Sequence, residues 1–308
     1  MMPAVPALVN LDGSLVAPGE ARVSVFDRGF LYGDSVYEVV RTYGGRPFEL
    51  PAHLARLATS AERIGMVLPW EAARTAAEVD RTLAAARWGD PPAPDAAPWN
   101  VGERYLRIVM TRGAGELGLD PGLAAGPLAL VLVLPLSGPP ARAYAEGVAA
   151  VLLGDPRPAG ADAGAKTGAH LPHVLAVRAA HAAGAHEALL VDGRGFVTEG
   201  ASSNVFAVRG GRLITPPLAA GILPGVTRGV VLSLAREAGV LAEESPVATG
   251  ELEGAEEVFI TSTTREIVPV THLGERPVGK GAPGPVTRAL HRAFRVRAGG
   301  PVGLSSGR

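Results

Sequence analysis

A chain of 308 residues, 47% apolar and 19% charged, is long enough for two ordinary domains with their own cores and too apolar to stay disordered over most of its length. A formal net charge of −1 gives no reason to expect nucleic acid or an anionic membrane surface as partner, and the lack of cysteine excludes disulfides, thiolate metal sites and cysteine nucleophiles. The opening MMPAVPALVNLDGSL has no basic stretch leading into a long apolar one, so a cytoplasmic location is expected; PLALVLVLPL at 127–136 is about half the ~20 residues of a spanning helix.

In chain order, VSVF at 23–26 and YEVVRTY at 37–43 carry the apolar runs and alternation of strands, the second closed by a Gly44-Gly45 hairpin signal. LPAHLARLATSAERIGM then places Leu50, Leu54, Leu57, Ala61 and Ile64 at helical spacing, and a second helix runs from Trp70 to near Trp88-Gly89. Residues 90–100 hold too much proline for a regular element. Two strands follow, RYLRIVMTRG at 104–113 and PLALVLVLPL. The Pro-Pro and Gly turns of SGPPARAYAEG suggest a connection between domains. We therefore expect an N-terminal domain over 1–136, a linker at 137–146, a C-terminal domain over 147–298 that carries Lys166, and a loose Gly/Ser tail at 299–308.

The second half opens with a strand at 148–153 and, after the Lys166 segment, a helix at 171–184. Strands are expected between 187 and 215, a helix opening at Gly225, and a final helix around VTRALHRAF. No repeat of fixed period appears. Helices interleaved with hairpin-linked strands make the class mixed α/β, with largely antiparallel or mixed sheets.

Of 29 basic residues, 27 are arginine and two are lysine, Lys166 and Lys280. Where a plain positive charge would serve, arginine was available, so a surviving lysine is a candidate for chemistry that a guanidinium cannot do, namely losing a proton and attacking a carbonyl. Lys280, in VGKGAPG, reads as an ordinary loop lysine. Lys166 lies in PAGADAGAKTGAHLP, where few other bases surround it.

Six segments give Lys166 its context: FDRGFLYGDSVYEVVRTYGGRPF, HLARLATSAERIG, AKTGAHLPHVLAVRAA, GFVTEGASSNVFAV, LPGVTRGVVL and TSTTREIVPV. In that order, from about residue 8 to about 295, the chain resembles the class IV (fold type IV) aminotransferases that use pyridoxal 5′-phosphate (PLP). That family includes branched-chain aminotransferases, D-amino acid aminotransferases and aminodeoxychorismate lyase. The resemblance implies the two-domain D-amino acid aminotransferase-like fold with PLP between the domains, and a homodimer. It makes Lys166 the Schiff-base lysine and Glu199 the carboxylate facing the pyridine nitrogen, where a fixed negative charge keeps that nitrogen protonated. Arg56 matches the phosphate arginine, able to offer a bidentate fork. Val226 and Thr227, at a helix opening on Gly225, together with Ser262 and Thr263, complete the phosphate donors. Outside this order each is ordinary: an acid before a turn, an arginine on a solvent-facing helix, a Ser/Thr cap.

The seven histidines show no metal spacing. His170 falls where many members carry a tyrosine that bonds the 3′-oxygen of the cofactor, so it enters the cofactor set as a departure from the pattern. For the substrate, Tyr105-Leu106-Arg107 resembles the Tyr-x-Arg strand of the branched-chain enzymes, and Tyr32, Tyr37 and Arg41 occupy the matching N-terminal segment, with Thr264 in the last turn. Arg41 and Arg107 are otherwise strand-face charges met by nearby acids. D-amino acid enzymes hold the substrate carboxylate with an Arg and a His shortly after Thr-Arg-Gly, and this chain has Leu117 and Leu119 at those places. The expectation is a transaminase that takes the amino group of an L-amino acid, branched-chain or otherwise aliphatic, and delivers it to 2-oxoglutarate. The alternatives are the lyase that forms p-aminobenzoate and pyruvate, a D-amino acid aminotransferase, and a binding protein that keeps the fold without PLP.

Overall fold

The computed structural model describes residues 7–86, 95–155 and 164–299 and divides into two compact units. Unit 1 comprises Met1–Pro94, Asn100–Ser137 and Gly160–His170; unit 2 comprises Asp95–Trp99, Gly138–Ala159 and Leu171–Arg308.

Unit 1 begins with a hairpin, β1 (Leu8–Leu11) and β2 (Ser14–Val16), that the sequence reading did not anticipate. Its turn, Asp12-Gly13, has φ of 49° and 90°, the positive values that an Asp-Gly hairpin turn requires. VSVF at 23–26, expected as a strand, forms none; Val23, Val25 and Phe26 are exposed and the segment leads into a short helix, α1 (Arg28–Tyr32). Next come β3 (Ser35–Tyr43), β4 (Arg46–Pro47), α2 (Leu50–Arg63) and α3 (Ala72–Ala85). The expected continuation of α3 to Trp88-Gly89, and residues 90–94 of the proline-rich stretch, lie outside the described residues. Within that stretch Pro98–Asn100 forms one 3-10 turn. β5 (Arg104–Thr111), the small ribbon of β6 (Ala114–Gly115) with β7 (Ala124–Ala125), and β8 (Leu128–Pro135) complete the unit's strands.

The six-stranded sheet has the order β2-β1-β8-β5-β3-β4 and is antiparallel throughout. Because successive strand residues point to opposite faces, alternation assigns Val36 and Val40 of β3, Leu106, Ile108 and Met110 of β5, and Ala129, Val131 and Val133 of β8 to one side. That side packs against Leu54, Leu57 and Ala61 of α2 and Val79 of α3, with Trp70 between the helices in sequence. Burying each large aliphatic side chain contributes about 1.5–3 kcal/mol. The core therefore lies on one face and leaves the other available.

Unit 2 opens with α4 (Ala141–Ala145), inside the stretch expected to be a plain connection. Its strands are β9 (Val148–Gly154), β10 (Glu187–Val191), β11 (Phe196–Gly200), β12 (Asn204–Arg209), β13 (Arg212–Thr215), β14 (Ala242–Glu244), β15 (Val247–Ala248), β16 (Glu257–Ser262), β17 (Glu266–Leu273) and β18 (Arg276–Pro277). They form one mixed sheet in the order β14-β13-β12-β16-β17-β9-β10-β11-β15, with β18 on β17; β9 runs parallel to both β10 and β17. Helices α5 (Leu171–Ala182), α6 (Val226–Glu237), α7 (Thr249–Glu253) and α8 (Pro285–Arg297) belong to this unit.

The Lys166 segment was expected within the C-terminal domain, and here the structure differs. Its backbone joins β3: Thr167 bridges Val36, the Tyr37 N–H donates to the Lys166 carbonyl at 3.1 Å, and the Gly168 N–H donates to the Ser35 carbonyl at 2.9 Å. Ladder hydrogen bonds, which a residue's place in the chain does not reveal, put Lys166 in unit 1.

Candidate active site

The face of the unit 1 sheet opposite its core carries Tyr37, Arg41, Tyr105 and Arg107. In register, Tyr37 faces Val109, Val39 faces Arg107 and Arg41 faces Tyr105 across β3 and β5, and Leu130, Leu132 and Leu134 of β8 extend the row. Tyr37, Val39, Tyr105, Arg107 and the three leucines are half-buried. Two aromatic rings hold the two arginines: the Arg107 guanidinium lies 4.2 Å from the Tyr37 ring centroid, and that of Arg41 lies 4.0 Å from Tyr43. Arg41 is fully buried and its Nε donates to the Thr42 carbonyl at 3.4 Å.

Lys166 reaches this face at Tyr37. Its Nζ donates to the Tyr37 hydroxyl at 3.0 Å and sits 4.3 Å from the ring centroid. The Lys166 N–H donates to Ser60 Oγ of α2 at 3.0 Å, so backbone bonds on both sides fix where the side chain starts. His170 packs edge-on against Tyr37, with ring centroids 4.7 Å apart. Tyr37, Tyr105, Arg107, Lys166 and His170 are thus brought together or aligned in one unit. Tyr32 belongs to α1 instead; it is partly exposed and its hydroxyl accepts from the Gly118 N–H at 3.2 Å.

Arg56 projects from α2 to the core side, where Nε and Nη2 donate to the two oxygens of Glu38, each at 2.7 Å. His53, one turn earlier, meets Glu38 Oε2 at 2.7 Å. The fork anticipated for phosphate is therefore engaged, along its Nε edge, by a carboxylate. Burial alone would raise the pKa of Glu38, but hydrogen bonds and charge from Arg56 and His53 outweigh it and hold the carboxyl at about 2. Sequence reasoning passed over Glu38, whose signal was the single acid of β3, set between Tyr37 and Val39.

In unit 2, Glu199 is buried on β11 and its Oε2 accepts from the Leu223 N–H at 3.0 Å. Asn204 donates to the Leu223 carbonyl at 3.0 Å, so the same residue is held from both sides as the chain enters α6. Gly225 caps that helix in an extended conformation, and Val226 and Thr227 form its first turn, whose N–H groups have no intrahelical acceptor. Ser262 ends β16, and Thr263 and Thr264 lie in the turn to β17, all three half-buried. Arg265, which closes that turn, was also passed over. Among the described residues no His, Asp and Glu group could hold a metal ion, and no helix is long and apolar enough to cross a membrane.

Comparison with known proteins places these features in a family. The model for amino-transferase class IV matches residues 35–273. A provisionally named branched-chain-amino-acid aminotransferase of Methanocaldococcus jannaschii is 37% identical over 289 residues, 93% of this chain and 95% of the relative. A D-alanine aminotransferase of Bacillus licheniformis is 36% identical over 287 residues, 93% of this chain and 95% of the relative. The solved T.th. branched-chain amino acid aminotransferase, complexed with N-(5′-phosphopyridoxyl)-L-glutamate, superimposes with a TM-score of 0.83 at 28% identity, covering 95% of this chain and 94% of that one.

Proposed function

The chain belongs to the class IV aminotransferases, PLP enzymes acting on amino and oxo acids, and from that premise we propose that it transfers the amino group of an L-amino acid with an aliphatic, typically branched, side chain to 2-oxoglutarate in a ping-pong cycle. The observation that carries this reading is the half-buried sheet face of unit 1. Val39, Val109 and the β8 leucines offer it apolar surface, Arg107 and Tyr105 supply polar edges, and Lys166 stands at Tyr37. Such a surface suits an aliphatic side chain in one half-reaction and the extra carboxylate of an acidic acceptor in the other.

The residues fit PLP. An amine fixed by its own backbone ladder is available for the aldehyde, a buried carboxylate for the ring nitrogen, and hydroxyl and N–H donors for the phosphate. The cofactor, when bound, supplies an electron sink for the pair left as the substrate Cα gives up its proton. Lys166 then carries that proton on Nζ, with the Tyr37 hydroxyl 3.0 Å away to orient the amine. Glu199, kept in place by the Leu223 N–H, presents a fixed negative charge. Val226, Thr227, Ser262 and Thr263 of unit 2 would hold the phosphate by donation; Arg56 of unit 1, matched to the family's phosphate arginine, has its position set by Glu38. Arg107, half-buried on this face, takes a carboxylate, whereas Arg41, expected beside it, is fully buried against Tyr43 and adds only its charge.

A D-amino acid reading draws support from the D-alanine aminotransferase among the relatives. Against it, Leu117 and Leu119 are exposed and offer no charge, and the loop's Gly118 and Leu119 carbonyls are occupied by Arg28. Mixing the holoenzyme with L- and D-amino acids and following conversion to the pyridoxamine form decides between the two. L-Leucine, L-isoleucine and L-valine should convert it; a response to D-alanine alone would sink the L-specific proposal. We also propose a homodimer, supported by the exposed Val25, Phe26 and Phe30 of unit 1 and Leu171 and Val174 of unit 2, and measurable by sedimentation equilibrium.

A further inference from the structure

We propose that Arg265 is a positioning residue for the cofactor phosphate, acting through the hydroxyl of Ser262; this rests on the cofactor reading above and deepens it. Arg265 ends the turn at 263–265 between β16 and β17, and its guanidinium spreads over three partners. Nε donates to Ser262 Oγ at 2.9 Å, Nη1 pairs with Glu187 Oε2 at 3.0 Å, and Nη2 donates to the Ser202 carbonyl at 2.6 Å and to Ser202 Oγ at 3.0 Å. The backbone carbonyl of Arg265 accepts from the Tyr144 hydroxyl at 3.2 Å. An arginine with side chain and main chain both engaged is not a loose surface charge.

The direction of these bonds matters for Ser262. A guanidinium only donates, so Ser262 Oγ accepts from it and its own proton must be directed elsewhere. Accepting from a cation also polarises the O–H and makes it a stronger donor. Ser262 is half-buried, so that proton remains within reach of a ligand, and the ligand it favours is an oxyanion. Glu187, itself 1% exposed, balances the guanidinium charge while also accepting from Ser203 Oγ at 2.9 Å. Arg265 therefore contributes orientation more than net charge. That task needs the planar fork of arginine, which lysine lacks.

The residue that follows Arg265 is fixed as well. Glu266 is fully buried at φ 59° and meets His291 Nε2 and Arg295 Nη1, both at 2.8 Å. Ion pairs on two successive residues anchor the closing side of the turn, and the hydrogen bond from Arg265 Nε ties the Ser262 hydroxyl to that anchored side.

The test uses holoprotein loaded either with PLP or with pyridoxal, the same aldehyde without the phosphate, and follows loss of the lysine-bound chromophore on gel filtration. Arg265→Met should speed loss of PLP about tenfold, the worth of one charge-assisted hydrogen bond, and leave the loss of pyridoxal unchanged. Ser262→Ala should do the same, and the double variant should lose PLP no faster than either alone, because both changes remove one interaction. Should Arg265→Met fold poorly, Arg265→Lys keeps a charge beside Glu187; it should recover thermal stability without recovering PLP retention. Equal loss of PLP and pyridoxal, an undiminished effect of Arg265→Met in the Ser262→Ala background, or full retention with lysine would each overturn the proposal. Failure of PLP and borohydride to label Lys166 in the unmodified protein would overturn the cofactor reading and this inference together, whereas labelling with unaltered retention in Arg265→Met overturns this inference alone.

Discussion

Both units bury a carboxylate between an arginine and a histidine of one helix. In unit 1, Glu38 meets His53 and Arg56 of α2; in unit 2, Glu266 meets His291 and Arg295 of α8. Both carboxylates are fully buried. The backbones beneath them differ. Glu38 sits in a regular strand, back to back with Tyr37, which contacts Lys166. Glu266 adopts φ 59°, where a side chain with Cβ is disfavoured by roughly 1–3 kcal/mol, at the end of the turn that carries Thr263 and Thr264. Buried ion pairs add little net stability once desolvation is counted, so their value lies in fixing geometry. One pair aims an arginine; the other holds a strained turn.

The comparison can be broken most sharply at Lys166. If the chemistry belongs to the unit whose carboxylate aims an arginine, Lys166→Ala should reduce turnover below detection in a stopped-flow assay, and Lys166→Arg should do no better, since arginine cannot supply a neutral amine. Wild-type turnover by either variant would detach the chemistry from unit 1. Next in size, Glu38→Ala and Glu266→Ala each leave a buried Arg and His without their carboxylate and should cost about 3–5 kcal/mol in chemical denaturation.

Acid provides a third test. The folded pKa of Glu38, about 2, lies below its ordinary 4.5, so its contribution is present above pH 4.5 and is lost as pH falls towards 2. A shift of that size corresponds to roughly 3 kcal/mol. Comparing urea midpoints at pH 6 and pH 3, Glu38→Gln should show a flatter acid dependence than the unmodified protein; parallel curves would remove Glu38 from the account. The smallest effect separates the two backbones. At Glu266, glycine should be less destabilising than alanine by about 1 kcal/mol because it relieves the positive φ, whereas at Glu38 glycine should be worse than alanine by about 0.5–1 kcal/mol. The same sign at both positions would mean that the strain at Glu266 carries no cost.

Much of this was legible in the chain. The periodicity of Leu50, Leu54, Leu57 and Ala61 gave α2, and alternation in YEVVRTY and RYLRIVMT gave two central strands, because both patterns record which face meets a core. VSVF misled because an apolar run has the same appearance on a surface as inside a sheet. The hairpin at Asp12-Gly13 was missed although that dipeptide signals a turn, its strands being only four and three residues long. Within the proposed site, the ordered motifs pointed to Lys166, Glu199 and the first turn of α6. Glu38 and Arg265 stayed hidden, since their meaning depends on partners 18 and 78 residues away, a distance that no local pattern encodes.

The alternation of the unit 1 strands bears on how this scaffold could change its diet. Val39, Val109 and Leu132 occupy one face while their neighbours Val40, Ile108, Val131 and Val133 fill the core. Enlarging or trimming the first group alters the surface offered to a side chain and leaves the helix-packed layer intact, whereas the same change one position along opens a cavity costing a few kcal/mol. On the proposed function, substrate preference and foldedness are thus written on alternate letters of the same strands, and the first can drift while the second is kept.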